Sequence, residues 1–224
     1  MRNKKTVVLL PLKLNNERVP GKNTKTFSDG TPLMKLIQIA CLKATTVDEI
    51  YAYCSDESIL PFLEPGVRFL KRPRFLDGNQ ANSNDIICEF IKEVSADIYV
   101  ETHATGPFTS SESIDACVKA VASGKFDSAF LARRIQEFLW QDEKPMNFDI
   151  DHFPRTQDLK PIYSETPGAY VFTRDTFERY RRRTGIRPYI HEVSEIESRD
   201  VDYPEDFNIA DAIYTHILLR NKND

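Results

Sequence analysis

The run Val7-Val8-Leu9-Leu10-Pro11-Leu12 has the length of a strand and ends in a polar loop from Lys13 to Asn23. That loop carries Lys13, Arg18 and Lys22, and Pro20-Gly21 supplies a tight turn. A strand that empties into a basic loop constrains the fold strongly, because open α/β sheets bind ligands outside the carboxyl ends of their strands. Across residues 1–26 the cations Arg2, Lys4, Lys5, Lys13, Arg18, Lys22 and Lys25 face one anion, Glu17, in a chain of net charge -4. Charge alone favours a solvated basic loop; its position after the first strand favours an anion site, with a polyphosphate as the expected occupant. The loop has neither the Walker spacing nor the dinucleotide glycine fingerprint.

The stretches that follow alternate between helix and strand patterns. Thr31-Pro32 precede a helical spacing over Leu33, Met34, Leu36, Ile37, Ile39, Ala40 and Leu42, and Glu49 to Ser55 alternates like a strand, completing a β-loop-α-β unit of a parallel sheet. Asp56 reads as a cap ahead of Ser58 to Leu63, and Val67 to Leu70 as a short third strand. Ser83 is placed to cap a helix bearing Ile86, Ile87, Phe90, Ile91 and Val94, and Asp97 to Thr102 reads as a buried strand. A helix opens at Ser111 and closes at Ser123-Gly124, with a strand from Ser128 to Ala132. Asp175 to Arg183 reads as a basic helix with a solvated face, Tyr189 to Val193 as an edge strand with His191 outward, and Phe207 to Leu218 as the last helix. Asp200 and Asp202, two apart in an extended segment, share a side and suit a hard cation such as Mg2+; capping of the last helix is the alternative.

At 224 residues with 41% hydrophobic content the chain can bury one substantial core, and one domain over residues 1–224 is expected. The net negative charge argues against a general nucleic-acid binder. No apolar run reaches the ~20 residues of a membrane span, and the apolar part after Arg2-Lys4-Lys5 is too short for a signal peptide, so a cytoplasmic protein is expected. Cys41, Cys54, Cys88 and Cys117 form no C-x-x-C pair and read as buried free thiols, with no zinc.

Taken in order, Pro11, Lys13, Arg18, Pro20, Lys22 and Asn23, then Arg72-Pro73 with Leu76 and Ser83 eleven residues after Arg72, then Pro154-Arg155-Thr156-Gln157-Asp158-Leu159, Pro167-Gly168-Ala169-Tyr170 and Asp200-Val201-Asp202 resemble the cytidylyltransferases that activate sialic acid and related ulosonic acids. The match runs from Leu10 to Phe207. Each motif occurs by chance; their common order at common spacing carries the resemblance. It departs at Lys13, where the family has arginine, at Asn15-Asn16 in place of Gly-Ser, and at His103 in place of a glutamine, with only Thr105 and Pro107 kept in that segment.

The resemblance implies a Rossmann-like, three-layer α/β/α nucleotidyltransferase fold with a mostly parallel sheet. It implies CTP held by Lys13, Asn15, Arg18, Lys22, Asn23, Arg72 and Ser83, and an acidic acceptor held by His103, Thr105, Arg155 and Tyr170. Lys22, Asp200 and Asp202 become the catalytic set, with Mg2+ on the two aspartates. Residues 133–165, whose Phe138, Leu139, Trp140, Met146, Phe148, Ile150 and Phe153 lack clear periodicity, become an arm crossing to a second subunit of a homodimer; a locally folded insertion packed on its own domain is the alternative.

Overall fold

In the computed structural model, which describes residues 4–15, 18–78 and 80–219, both faces of the first strand are buried. Val8 and Leu10 enter one apolar cluster and Val7 and Leu9 another, so this strand runs through the middle of the molecule. Each such side chain withdrawn from water contributes about 2 kcal/mol. Arg2, Asn16 and Glu17 lie outside the described residues.

The elements in chain order are β1 (Thr6–Pro11), α1 (Leu33–Lys43), β2 (Glu49–Cys54), β3 (Val67–Lys71), α2 (Ser83–Glu93), β4 (Ile98–Glu101), α3 (Ser111–Ala122), β5 (Ser128–Ile135), β6 (Trp140–Gln141), β7 (Lys144–Pro145), β8 (Ile162–Thr173), α4 (Arg174–Tyr180), β9 (Pro188–Val193) and α5 (Pro204–Ile213). Seven strands form one sheet in the order β3-β2-β1-β4-β8-β5-β9. Every pairing is parallel except those of β8, which runs antiparallel to β4 and β5. Helices α1 and α3 cover one face with Met34, Ile37, Ile114 and Val118, and α2 and α4 cover the other with Ile87, Phe90 and Phe177. This is the Rossmann-like α/β/α layering expected. A third cluster, Phe27, Leu33, Val201, Phe207, Ala210 and Tyr214, fastens α5 beside α1.

Two features of this topology place the site. The strand order turns from leftward to rightward between β1 and β4, which opens a crevice at their carboxyl ends. The antiparallel β8 sets Tyr170 opposite Glu101 at that same end.

Several local expectations change. Asn82, not Ser83, caps α2: its side chain accepts from Asn84 N at 2.8 Å and Asp85 N at 3.2 Å, while Asp85 accepts from Asn82 N at 3.0 Å. Asp56 does cap the turn after β2, accepting from Ser58 N at 2.9 Å. Helix α4 stops at Tyr180 because Arg181 takes a left-handed φ of 53°, so Arg183 lies beyond it. His191 is half-buried against Tyr189 rather than outward.

The ends of the 133–165 segment are central-sheet strand, in β5 and β8, and the excursion between them carries the β6-β7 hairpin. Its aromatics pack on one another, with Phe138 4.8 Å from Phe148 and 4.6 Å from Phe153 between ring centres. Trp140, Met146, Ile150 and Phe153 stay more than half exposed. Among the described residues no helix is long and apolar enough to cross a membrane. The four cysteines are unpaired, and burial pushes the Cys41 and Cys117 thiols up to about 12, which leaves them unreactive.

Candidate active site

The loop after β1 is held shut by its own residues. Gly21, at φ 63°, makes the left-handed turn that Pro20-Gly21 promises, and the Asn23 side chain donates to Lys13 O at 2.8 Å, tying the loop's end to its beginning. Asn23 is itself buried, so its work is to shape the loop. Val19 is buried in the turn between exposed Arg18 and buried Lys22, and both cations line the same cleft.

What they meet comes from the other end of the chain. Val201 is wholly buried and donates its N–H to Thr105 O at 2.9 Å, pinning the segment before α5 against the β4 loop. Lys22 Nζ donates to Val201 O at 2.7 Å and to Asp202 Oδ1 at 3.2 Å. Arg18 forks onto the same carboxylate, Nη1 to Oδ2 and Nη2 to Oδ1, each at 3.0 Å. Capping of α5 falls to Asp206, which accepts from Asp202 N at 3.1 Å and Tyr203 N at 2.7 Å. Asp202 is thereby free to face the cleft.

These groups line a cleft of about 420 Å³. Lys13, Arg18, Lys22 and Asn23 come from the first loop, Arg72 from the end of β3, His103 and Thr105 from the end of β4, Tyr170 from β8, and Asp200 and Asp202 from the approach to α5. Asp200 opens onto the cleft; loss of water on its protein side, and then the charge of Asp202, push its carboxyl above the usual range, with Thr105 and Lys22 pulling the other way. Among the described residues no three His, Cys, Asp or Glu side chains cluster as a cage for a metal. Asp200 and Asp202 both line the cleft and are two carboxylates there that could hold a hard cation such as Mg2+, an ion that uses one or two carboxylates and takes its remaining oxygens from phosphates and water.

Arg72 is 3% exposed and paired with Asp77 at 2.5 Å, and its Nε has no hydrogen-bond partner among the described residues. A buried guanidinium costs several kcal/mol to leave half-satisfied, so a strand-end arginine held like this is placed rather than incidental.

Three expected residues stand elsewhere. Asn15 lines a neighbouring pocket with Ser55, Asp56, Arg74 and Asp77. Ser83 lies behind the cleft, its hydroxyl bonded to Glu101. Arg155 is in the excursion, exposed, and forks onto Asp158 at 2.7 and 3.1 Å, so within one subunit it does not reach the cleft.

Two further residues went unnoticed in the sequence. Glu101 is fully buried at the end of β4, and Arg183 donates from Nη1 to its Oε2 at 2.6 Å and to Ser83 Oγ at 3.2 Å. The Arg183 guanidinium lies 3.3 Å over the Tyr170 ring, and Tyr170 Oη donates to Glu165 at 3.0 Å. His103 Nε2 stands 3.7 Å from Glu101; burial holds its imidazole below the usual range against the upward pull of that carboxylate. A glutamate inside a run read as buried was the available signal, because a buried carboxylate demands a partner. Nothing in Arg181-Arg182-Arg183 tells which of the three turns inward.

A family model described as cytidylyltransferase matches residues 7–213 of the chain. N-acylneuraminate cytidylyltransferase of Oncorhynchus mykiss is 25% identical over 203 residues, which takes in 86% of this chain and 46% of that protein, so the chain spans about half its length. Among solved structures, CMP:2-keto-3-deoxy-manno-octonic acid synthetase complexed with CTP superposes with a TM-score of 0.70 at 17% identity, over 95% of this chain and 99% of that one. 4-Diphosphocytidyl-2C-methyl-D-erythritol synthase from Anaerococcus prevotii gives 0.64 at 12% identity, over 94% and 96%. At those identities the two structures share the fold with this chain.

Proposed function

The chain belongs to the cytidylyltransferase family, and from that premise we propose that it transfers CMP from CTP to a sugar acid, of the sialic-acid-like nonulosonate or octulosonate type, and releases pyrophosphate. The observation that carries the reading is the meeting of Lys22 Nζ with Asp202 Oδ1 at 3.2 Å, which brings the phosphate loop and the acidic pair into one cleft from opposite ends of the chain. Lys13, Arg18 and Lys22 hold the triphosphate, and Arg72 the nucleoside side. Asp200 and Asp202 would hold Mg2+, which when bound offsets negative charge on the phosphates.

The acceptor hydroxyl oxygen bonds to the α-phosphorus as the bond to the β-phosphate's bridging oxygen breaks; pyrophosphate leaves with the electron pair of that bond, and the hydroxyl proton passes to solvent. Arg18 and Lys22 stabilise the charge that gathers on the departing phosphates, and the pinned loop and tail keep the reactants aligned. No covalent enzyme intermediate is needed. His103 stands where the resembling family has glutamine, and this favours as a second reading a different anionic acceptor, such as a phosphonate or a sugar phosphate.

A homodimer goes with this reading. The excursion, which also carries Arg155, exposes Trp140, Met146, Ile150 and Phe153, apolar side chains suited to contact with a second copy of the chain. Light scattering reports the dimer; a monomer for the wild type at micromolar concentration removes it. Pyrophosphate release with CTP and Mg2+ across a panel of ulosonic acids, phosphonates and sugar phosphates tests the activity. Turnover of an ulosonic acid supports the first reading, turnover of a phosphonate or phosphate alone supports the second, and CTP binding without release from any acceptor refutes both.

A further inference from the structure

The Glu101-Arg183 pair is more than the structure needs to neutralise a buried acid. Only Nη1 of Arg183 is spent, on Glu101 and Ser83, while Nε and Nη2 make no hydrogen bond among the described residues and are not among the sealed, unpartnered atoms. Those two N–H groups lie side by side on one edge of the guanidinium, the same edge with which Arg155 forks onto Asp158 in this chain. Arg183 lines the cleft, with its plane fixed against the Tyr170 ring.

The segment that presents it is locked. Arg181 ends α4 with its left-handed turn, and Gly185 N donates to Ser128 Oγ at 2.9 Å. Ile186 N donates to Asp127 at 3.0 Å, and a Cβ on Gly185 would strike that aspartate. Arg181 and Arg182 stay exposed while Arg183 is turned in. Lys22 and Asp202 line the same cleft of about 420 Å³ as His103 and Arg183, so its two poles lie within one small molecule's reach.

We propose that Arg183, positioned by Glu101, Ser83 and Tyr170, binds the carboxylate of the acceptor through its Nε–Nη2 edge. The inference rests on the sugar-acid reading and assigns its anion to a residue outside the motifs that suggested it. A planar two-oxygen group matches that edge, and the fixed plane makes the match directional. Arg155, spent on Asp158 outside the cleft, leaves the role open within the subunit.

The test is calorimetric titration of N-acetylneuraminate, 2-keto-3-deoxy-manno-octonic acid and 2-C-methyl-D-erythritol 4-phosphate, which has no carboxylate, into protein saturated with CTP without metal. Removing Arg183 alone strands a buried charge, so the first variant is Glu101→Gln with Arg183→Gln, which removes both charges; the second is Arg183→Lys, which keeps the charge and loses the fork. The expected result is binding of at least one acid to the wild type and a loss on the order of tenfold or more in both variants, with CTP affinity and melting temperature unchanged in Arg183→Lys. Equal affinity of an acid for wild type and Arg183→Lys overturns the assignment and leaves the sugar-acid reading standing. Binding of the phosphate acceptor alone, or of none of the three, overturns both.

Discussion

In the free protein Asp202 occupies the very cations that the proposed reaction needs, and this gives Asp202→Asn an effect of opposite sign with and without metal. Arg18 makes two contacts with the carboxylate at 3.0 Å and Lys22 one at 3.2 Å. A triphosphate must displace them. The Asp202 side chain is 32% exposed and that of Arg18 54%, so solvent screens the fork heavily, whereas the Lys22 side chain is 8% exposed and screened less. Together the competing pairs amount to about 1–2 kcal/mol, and an uncharged amide at 202 removes that competition. Metal-free CTP affinity, measured by calorimetry in EDTA, is therefore expected to rise about 5- to 30-fold in Asp202→Asn. With Mg2+ present, pyrophosphate release is expected to fall at least about a hundredfold, because one of the two carboxylates for the ion is gone. Weaker or unchanged metal-free binding would show that Asp202 does not restrain the loop cations. Wild-type turnover with Mg2+ would remove it from the metal site.

Other outcomes follow from the same contacts. Lys22→Met keeps the aliphatic stem and removes the donor, so CTP should bind about tenfold or more weakly with or without metal; unaltered CTP affinity in calorimetry sinks the phosphate role. Asp115 accepts from Thr45 N at 3.1 Å and Thr46 N at 2.9 Å and from both hydroxyls at 2.6 Å; burial pushes its carboxyl up, but these bonds outweigh it and hold it down to about 2. Its folded value lies below the unfolded one, so its stabilisation of about 2 kcal/mol is present above about pH 4 and lost as pH falls towards 2. Denaturant melts at pH 6 and pH 3 should show a shallower acid loss for Asp115→Asn than for wild type, and identical slopes would refute the assignment. At Gly168 a Cβ would lie 2.4 Å from Thr109 Oγ1 and 2.9 Å from Leu131 Cδ1, so Gly168→Ala should cost about 1–3 kcal/mol. An unchanged melting temperature would show that this close approach between β8 and the loop after β4 is not made.

The positions that the sequence made legible share a property: local pattern decides them. The apolar run Val7 to Leu10 had to be a strand, and the basic loop after it could only stand at that strand's carboxyl end. Asp56 capped as its neighbours demanded, and the Pro-Gly pair at 20 and 21 turned the loop. Local reasoning failed where two equivalent residues compete, as between Asn82 and Ser83 for the start of α2. There Asn82 won because Asp85 could answer it across one turn. The excursion after β5 was legible only as a break in periodicity, since its aromatics satisfy one another and impose no regular spacing.

By itself the sequence determined the alternation of helix and strand, the basic loop, the acidic pair before the last helix and, through ordered motifs, the family. Tertiary structure alone decided that Lys22 and Arg18 close on Asp202, that Arg155 stands outside the cleft, and that Arg183, of three adjacent arginines, turns in to meet Glu101. The division has a physical reason. Periodicity and capping act over one or two turns of chain and leave their record in neighbouring residues. The pairing of charges 82 or 180 positions apart is set by the order and direction of strands in the sheet, which no local pattern encodes.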